Sequence, residues 1–286
     1  MTVVGLVGAG HMGSGLGWAL HEGGHDVVTS LAGRSERTAG LAREAGLRIV
    51  DRPDDVLAVA YIVLVVTPPG AAIAAARDIA DLARKDRKDR PLVADLNATA
   101  PTTAATAAEV LAAAGFDFVD GSISGPPPTV RPGARIYLSG PRAAEVAALR
   151  WTHARPVVVG DRVGSASAVK MSTASVYKGL MGLLTQAIRS AGEYGVLEPV
   201  LADLGEGYGT PYEVALAATK AHRYVAEMHE IAKSQAAAGL TPALFEAFAA
   251  IWADVAGRPL AEGRPETLTR DITARQVADG LPTGPR

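Results

Sequence analysis

Two groups of residues in this 286-residue sequence have types and spacing that could do chemistry. The first is Gly8-Ala9-Gly10-His11-Met12-Gly13, a G-x-G-x-x-G turn. Such a turn suits a pyrophosphate. Its first glycine permits a tight bend, the second lets backbone approach the phosphates, and the third lets a helix pack closely on a strand. The helix N-terminus that follows offers unpaired N–H groups and a partial positive charge. The second is Lys170, in an Ala- and Ser-rich stretch of helical pattern. At about 100° per residue, Thr173, Ala174 and Tyr177 share the lysine's face. Val169, Val176, Leu180 and Leu184 are expected to pack around part of the circumference. An ammonium desolvated there loses proton affinity, which would suit it to general acid–base work.

The elements that must position these residues follow from the hydrophobic pattern. Strands are expected at Thr2–Val7, Asp26–Ser30, Leu47–Val50, Tyr61–Val66, Leu92–Asp95, Asp117–Ile123, Arg135–Leu138 and Pro156–Val159. Helical stretches at 11–22, 35–45, 70–84 and 101–114 lie between the early ones. Strands separated by helices mean βαβ units and a parallel sheet. Tyr61–Val66 is apolar without alternation, as befits a strand covered on both faces. After Gly164 only helical patterns remain, at about 165–194 (interrupted by Gly192 and Gly195), 198–204, 211–238, 241–256 and 266–278. Gly205-x-Gly207-x-Gly209 follows a helix and reads as a loop, and the tail from Gly280 reads as irregular. The expected fold is an α/β Rossmann-type doubly wound domain at residues 1–163, then an all-α domain at 164–286.

The strand before the turn and the helix after it give the glycine motif its context. The second strand then bears on which dinucleotide is bound. An NAD site places a carboxylate at that strand's end, but the first one here is Glu36, in the next helix. Ser30, Arg34 and Ser35 could instead hold a 2′-phosphate, so NADP (NADPH) is the expected cofactor.

Composition removes several alternatives. The formal net charge of −2 gives no basic excess for nucleic acid or an anionic membrane. No cysteine is present, which excludes disulfides, thiolate metal sites and a thiol nucleophile. The six histidines form no ligand pattern, His222 and His229 included, so no metal is expected. No G-x-S-x-G elbow suggests a serine hydrolase. Arg84–Arg90 is a mixed-charge run that reads as a solvated helix end. No leader peptide and no membrane span of about 20 apolar residues is expected. A cytoplasmic protein with a small-molecule substrate is expected.

Taken in order, the motifs resemble the β-hydroxyacid dehydrogenase family, relatives of 6-phosphogluconate and 3-hydroxyisobutyrate dehydrogenases. Gly5-Leu6-Val7-Gly8-Ala9-Gly10-His11-Met12-Gly13 resembles the family's N-terminal signature, methionine included. Thr67-Pro68-Pro69 is similar to its cofactor loop. Asp95-Leu96-Asn97-Ala98-Thr99-Ala100-Pro101 is similar to its Asp-x-Ser-Thr-x-x-Pro segment. Asp120-Gly121-Ser122-Ile123-Ser124-Gly125-Pro126 resembles its substrate loop, with a hairpin following at Gly133-Ala134. Gly164-Ser165-Ala166-Ser167-Ala168-Val169-Lys170 resembles the segment bearing its catalytic lysine.

The resemblance implies an oxidoreductase acting on a small hydroxy or keto substrate, with its site between two domains and a homodimer formed by the helical one. It implies that Gly8, Gly10, His11, Met12, Gly13, Thr67, Pro68 and Asn97 hold the cofactor. Lys170 would carry the proton, and Ser124 and the Gly125 N–H would orient the substrate. Thr173 and Tyr177 would be hydrogen-bonders on the lysine face, and Lys178 would reach an anionic group or stay a surface lysine. The sequence departs from the pattern at Ala174, where the family has Asn, and at Pro126, where it has Gly. Asn97-Ala98 also replaces Ser-Thr, so substrate handling has diverged. Lys170-Met171 and Lys178-Gly179 resemble a divergent phosphogluconate-dehydrogenase-like subgroup. Two rivals stay open: an imine reductase-like enzyme, against which Lys170 speaks, and a non-catalytic NADP-binding sensor.

Overall fold

The computed structural model describes residues 2–82 and 90–284, the side chain of Glu206 excepted. Most of the mixed-charge run at 84–90 lies outside the described residues. The chain divides into two compact units, Met1–Met171 and Ser172–Arg286.

The first unit is built on one eight-stranded sheet. Its strands are β1 (Val3–Val7), β2 (Asp26–Ser30), β3 (Arg48–Val50), β4 (Ile62–Val65), β5 (Leu92–Asp95), β6 (Phe118–Ser124), β7 (Ala134–Ser139) and β8 (Ala154–Gly160). They lie in the order β3-β2-β1-β4-β5-β6-β7-β8. All neighbours are parallel except β6 and β7, which form an antiparallel pair. The order reverses between β1 and β4, and ligands of such sheets bind beyond the carboxyl ends of the strands at that point.

Strand β4 explains why its sequence lacks alternation. Ile62 and Leu64 enter one core, with Leu6, Leu16 and Leu20. Val63 and Val65 enter the other, with Val93, Leu111 and Phe116. Both faces are covered, and each large apolar side chain so buried contributes about 1.5–3 kcal/mol. The covering helices are α1 (His11–Glu22), α2 (Glu36–Glu44), α3 (Pro53–Val59), α4 (Ala72–Asp81), α5 (Pro101–Ala113) and α6 (Ala143–Ala147). Helices α3 and α6 were not expected. Each is seven residues or fewer, too short for a 3.6-residue period to be visible.

Helix α7 (Ser165–Glu193) begins in the first unit and continues into the second. The second unit adds α8 (Leu197–Leu204), α9 (Pro211–Ala218), α10 (Ala221–Ala237), α11 (Ala243–Ala256) and α12 (Ala274–Gly280), with no strand among its described residues. A Cβ on Gly182 would come within 2.7 Å of the Phe248 ring, so the missing side chain lets α7 and α11 close together. Trp252 is fully buried, edge-on to Tyr224 at 5.1 Å.

Four expectations are corrected. The stretch 211–238 is two helices, because the chain tightens at Thr219-Lys220, where the Lys220 N–H donates to Ala217 O. The stretch 266–278 is helical only from Ala274, where Thr273 and Gln276 form a reciprocal capping box. Gly192 does not interrupt α7. Its missing side chain admits Ala278, whose Cβ would lie 2.9 Å from one built there. Gly205–Tyr208 forms a short 3₁₀ turn within the expected loop. The tail lacks regular structure but is tied down. Arg189 donates to the carbonyls of Leu281 and Pro282, and Arg258 to that of Gly284, with Asp254 paired to both guanidinium groups.

Candidate active site at the carboxyl edge of the sheet

The glycine turn follows β1 and opens α1. Gly8 has φ +96°, a conformation that L side chains rarely adopt, and a Cβ there would overlap the Val66 carbonyl. A Cβ on Gly13 would overlap the Gly8 carbonyl, so this glycine closes the turn on itself. Gly10 differs, because a Cβ there meets nothing within 4 Å. No side chain caps α1, which leaves its first N–H groups facing the turn. A backbone cradle that is open at Gly10 and lined with N–H donors fits a pyrophosphate. His11 and Met12 are the first residues of α1. Met12 packs on the core around Leu6 and Leu16.

The loops after β4 and β5 are tied together beside it. The Thr67 N–H donates to Asn97 Oδ1 at 2.7 Å, and Asn97 Nδ2 donates to Thr67 Oγ1 at 3.0 Å. Pro68 then leads into a short 3₁₀ turn. At the end of β2, Ser30 Oγ donates to Asp51 O and accepts from the Ala32 N–H. Ser35 caps α2 by accepting from the Thr38 N–H. Both serines therefore already have local partners. Arg34 stands exposed in the turn between them, and no hydrogen bond or ion pair holds its guanidinium among the described residues.

Lys170 lies on the second turn of α7. Its ammonium donates to the Ile123 carbonyl at 2.8 Å, one residue before Ser124 at the end of β6. Gly125 follows with φ +126° and lies against Ala134, turning the chain into the hairpin toward β7. The prolines after it rest on α1: a Cβ on Gly15 would come within 3.0 Å of Pro127 and 3.2 Å of Pro128. The edge thus gathers the glycine turn, Thr67, Asn97 and Ser124 at the ends of the neighbouring parallel strands β1, β4, β5 and β6, and Lys170 reaches β6 from α7.

The other residues of the α7 face belong to the second unit. Thr173 is half-buried and Tyr177 exposed. Lys178 is neither a surface lysine nor a free cation. It is largely buried, paired with Glu227, and its Nζ sits 4.5 Å from the Tyr224 ring centroid. Val176 is exposed and adds no packing around α7, although Leu184 is buried.

The sequence reading missed a group of polar residues beneath Lys170. Asp95 on β5 and Asp120 on β6 are register partners, so two buried carboxyl groups lie on one face of the sheet. Burial pushes Asp95 up to about 7; the Asn97 N–H bond pulls it back, and the Asp120 charge adds to the rise. Burial also raises Asp120, against hydrogen bonds from Ser167, Ser139 and Gly164. A carboxylate within or closing a buried strand was the available signal, since a buried charge needs partners.

The family described as the NAD binding domain of 6-phosphogluconate dehydrogenase matches residues 3–154. A domain of unknown function, DUF1932, matches residues 191–255. An uncharacterized 28.5 kDa protein of Methanothermus fervidus is 26% identical over 210 residues, covering 73% of this chain and 78% of that protein. A conserved protein of unknown function, described as structurally similar to 3-hydroxyacid dehydrogenases, is 28% identical with a TM-score of 0.64. That match covers 89% of this chain and 96% of the other. The 3-hydroxyisobutyrate dehydrogenase of Mycobacterium tuberculosis, solved with L-serine, has a TM-score of 0.67 at 17% identity and covers 98% and 99% of the two chains. It shares the fold, as do imine reductases with TM-scores of 0.50–0.54. With its glycine turn, its sheet order and the match across residues 3–154, this chain belongs to the β-hydroxyacid dehydrogenase family of 6-phosphogluconate and 3-hydroxyisobutyrate dehydrogenases.

Proposed function

We propose that this protein is an NADP-dependent oxidoreductase acting on a small hydroxy or keto substrate, with Lys170 as the proton-transfer group. The observation that carries the reading is the Lys170 ammonium, held 2.8 Å from the Ile123 carbonyl beside Ser124 and Gly125. The cofactor would rest its pyrophosphate on Gly8–Gly13, flanked by Thr67, Pro68 and Asn97. When bound, its nicotinamide supplies or accepts the hydride. In the oxidising direction the neutral Lys170 amine accepts the substrate hydroxyl proton. In the reducing direction its ammonium returns that proton to the forming alkoxide. Ser124 and the Gly125 N–H orient the polar end of the substrate, with Thr173 and Tyr177 as further hydrogen-bonders. Lys178, engaged with Glu227, contributes to the helical unit rather than to anion binding.

The testing experiment is a panel of hydroxy acids, keto acids, aldehydes and cyclic imines, run with NADPH or NADP in both directions. Turnover of a hydroxy or keto compound supports the reading. Turnover of cyclic imines alone would replace it with the imine reductase reading, and cofactor binding without any turnover would favour a sensor.

Arg34 is the residue proposed to choose the dinucleotide, since it is a charged donor in the turn after β2 with no competing side-chain partner among the described residues. Arg34→Ala is expected to weaken NADPH binding by about 1–3 kcal/mol, as for a lost charged hydrogen bond. NADH binding should barely change. Titration calorimetry with both cofactors checks this, and equal losses would remove Arg34 from the 2′-phosphate.

A homodimer formed through the helical unit completes the proposal. Val176 and Leu183 on α7 are 65% and 61% exposed, an apolar presence suited to a partner surface. Light scattering at micromolar concentration should give at least twice the chain mass of 29.4 kDa. A monomer would refute this. Among the described residues, no helix is long and apolar enough to cross a membrane, which fits the proposed cytoplasmic location.

A further inference from the structure

Asp120 is buried in the middle of β6, and both of its carboxylate oxygens are occupied. Oδ2 accepts from the Gly164 N–H at 2.9 Å, the Ser167 N–H at 3.0 Å and Ser139 Oγ at 2.9 Å. Oδ1 accepts from Ser167 Oγ at 2.6 Å. Gly164 and Ser167 flank the first turn of α7, so a strand carboxylate takes up N–H groups that a helix start leaves unpaired. Two further contacts tie this turn to the sheet, one from β7 and one from β6. Ser139 Oγ accepts from the Ala166 N–H, and Ser122 Oγ donates to the Ala166 carbonyl at 2.9 Å. Three residues after Ser167, Lys170 reaches back to the Ile123 carbonyl of the same strand.

The negative charge is what the arrangement requires. Four donors converge on one carboxylate, and the positive end of the α7 dipole faces it. An amide in its place would turn an NH₂ group toward N–H or O–H donors on one side. Asp95 is the titratable neighbour, across the sheet register on β5. The β7 contact comes from the uncharged Ser139.

We infer that Asp120 is a positioning residue: its carboxylate fixes the first turn of α7 against β6 and thereby sets where the Lys170 amine stands. The functional meaning rests on the proposed role of Lys170, whereas the anchoring itself does not.

The test compares Asp120→Asn, Ser167→Ala and Lys170→Met with the unaltered full-length chain. Amide hydrogen exchange of residues 164–171 is read by mass spectrometry. In parallel, the rate at which trace acetic anhydride acetylates Lys170 is measured relative to Lys233. Asp120→Asn is expected to speed exchange in the first turn of α7 by at least tenfold. It should also raise Lys170 acetylation at least threefold, because the amine is released from Ile123. Ser167→Ala, which deletes a single donor, should move both readouts the same way by less, and serves if Asp120→Asn does not fold. Lys170→Met should leave first-turn exchange as it was, since the anchor lies upstream of the lysine. Folded Asp120→Asn or Ser167→Ala protein with unaltered exchange and unaltered Lys170 labelling would overturn the anchoring. Unaltered turnover in Lys170→Met would overturn the proton-transfer reading alone.

Discussion

Lys170→Met is expected to lower turnover by about 10²–10⁴ while leaving NADPH affinity within about twofold, the range for losing a general acid–base group. Methionine keeps much of the lysine's length and apolar stem but can neither take nor give the proton. The glycine cradle lies on other strands, so the cofactor should be held as before. Losing the charged bond to the Ile123 carbonyl should cost about 1.5–3 kcal/mol of stability, too little to unfold the chain. Lys170→Arg sharpens the result. Arginine stays charged at any accessible pH, so it should fail as a base when the hydroxy compound is oxidised. Single-turnover rates and a fluorescence titration with NADPH, measured on the same preparations, separate chemistry from binding. Turnover equal to the parent would remove Lys170 from the mechanism.

Gly10 and Gly13 should respond in opposite ways to one added methyl group. Gly10 has φ −71° and ψ −171°, which an L residue adopts freely, and nothing stands within 4 Å of the position its Cβ would take. Gly10→Ala should therefore fold normally and gain about 0.4–1 kcal/mol from a less flexible unfolded chain. Its methyl would fill the space through which a pyrophosphate approaches backbone. Dinucleotide affinity should fall at least tenfold, about 1.4 kcal/mol. Gly13→Ala drives its Cβ into the Gly8 carbonyl and deforms the turn, so stability should fall by about 1–3 kcal/mol along with binding. Thermal melts and cofactor titrations of the two variants check the contrast. Tight binding by folded Gly10→Ala would mean that no phosphate sits there.

What could be read from the residues depended on the reach of each interaction. The eight strands of the first unit are where the apolar runs predict them, because β-branched residues and a two-sided core leave a dense local signal. The glycine turn was equally legible, since the contact that closes it, Gly13 on the Gly8 carbonyl, spans five residues. The split at Thr219-Lys220 was not, because alanine-rich sequence continues the helical pattern across it. The late start of α12 was available in Thr273 and Gln276, a capping pair three apart that periodicity alone overlooks. The fate of Lys178 depended on Glu227, 49 positions further along the chain. Asp120 illustrates the same limit. In the sequence it stands in a loop motif, but its partners Ser139, Gly164 and Ser167 come from two other elements and only the fold brings them together.

The rest of Pro127 and Pro128 on Gly15 has a consequence for how such sequences can change. The first turns of α1 and the segment after Ser124 share one contact surface, so neither can drift independently. A lineage that acquires any side chain at position 15 must shift or shorten the proline run, and one that keeps the prolines is held to glycine. Divergence in substrate preference, if it proceeds by rebuilding residues 126–129, is therefore tied to a helix whose other end of business is the dinucleotide. The two specificities of the protein would evolve as a linked pair, and covariation between position 15 and positions 127–129 among relatives is the trace this would leave.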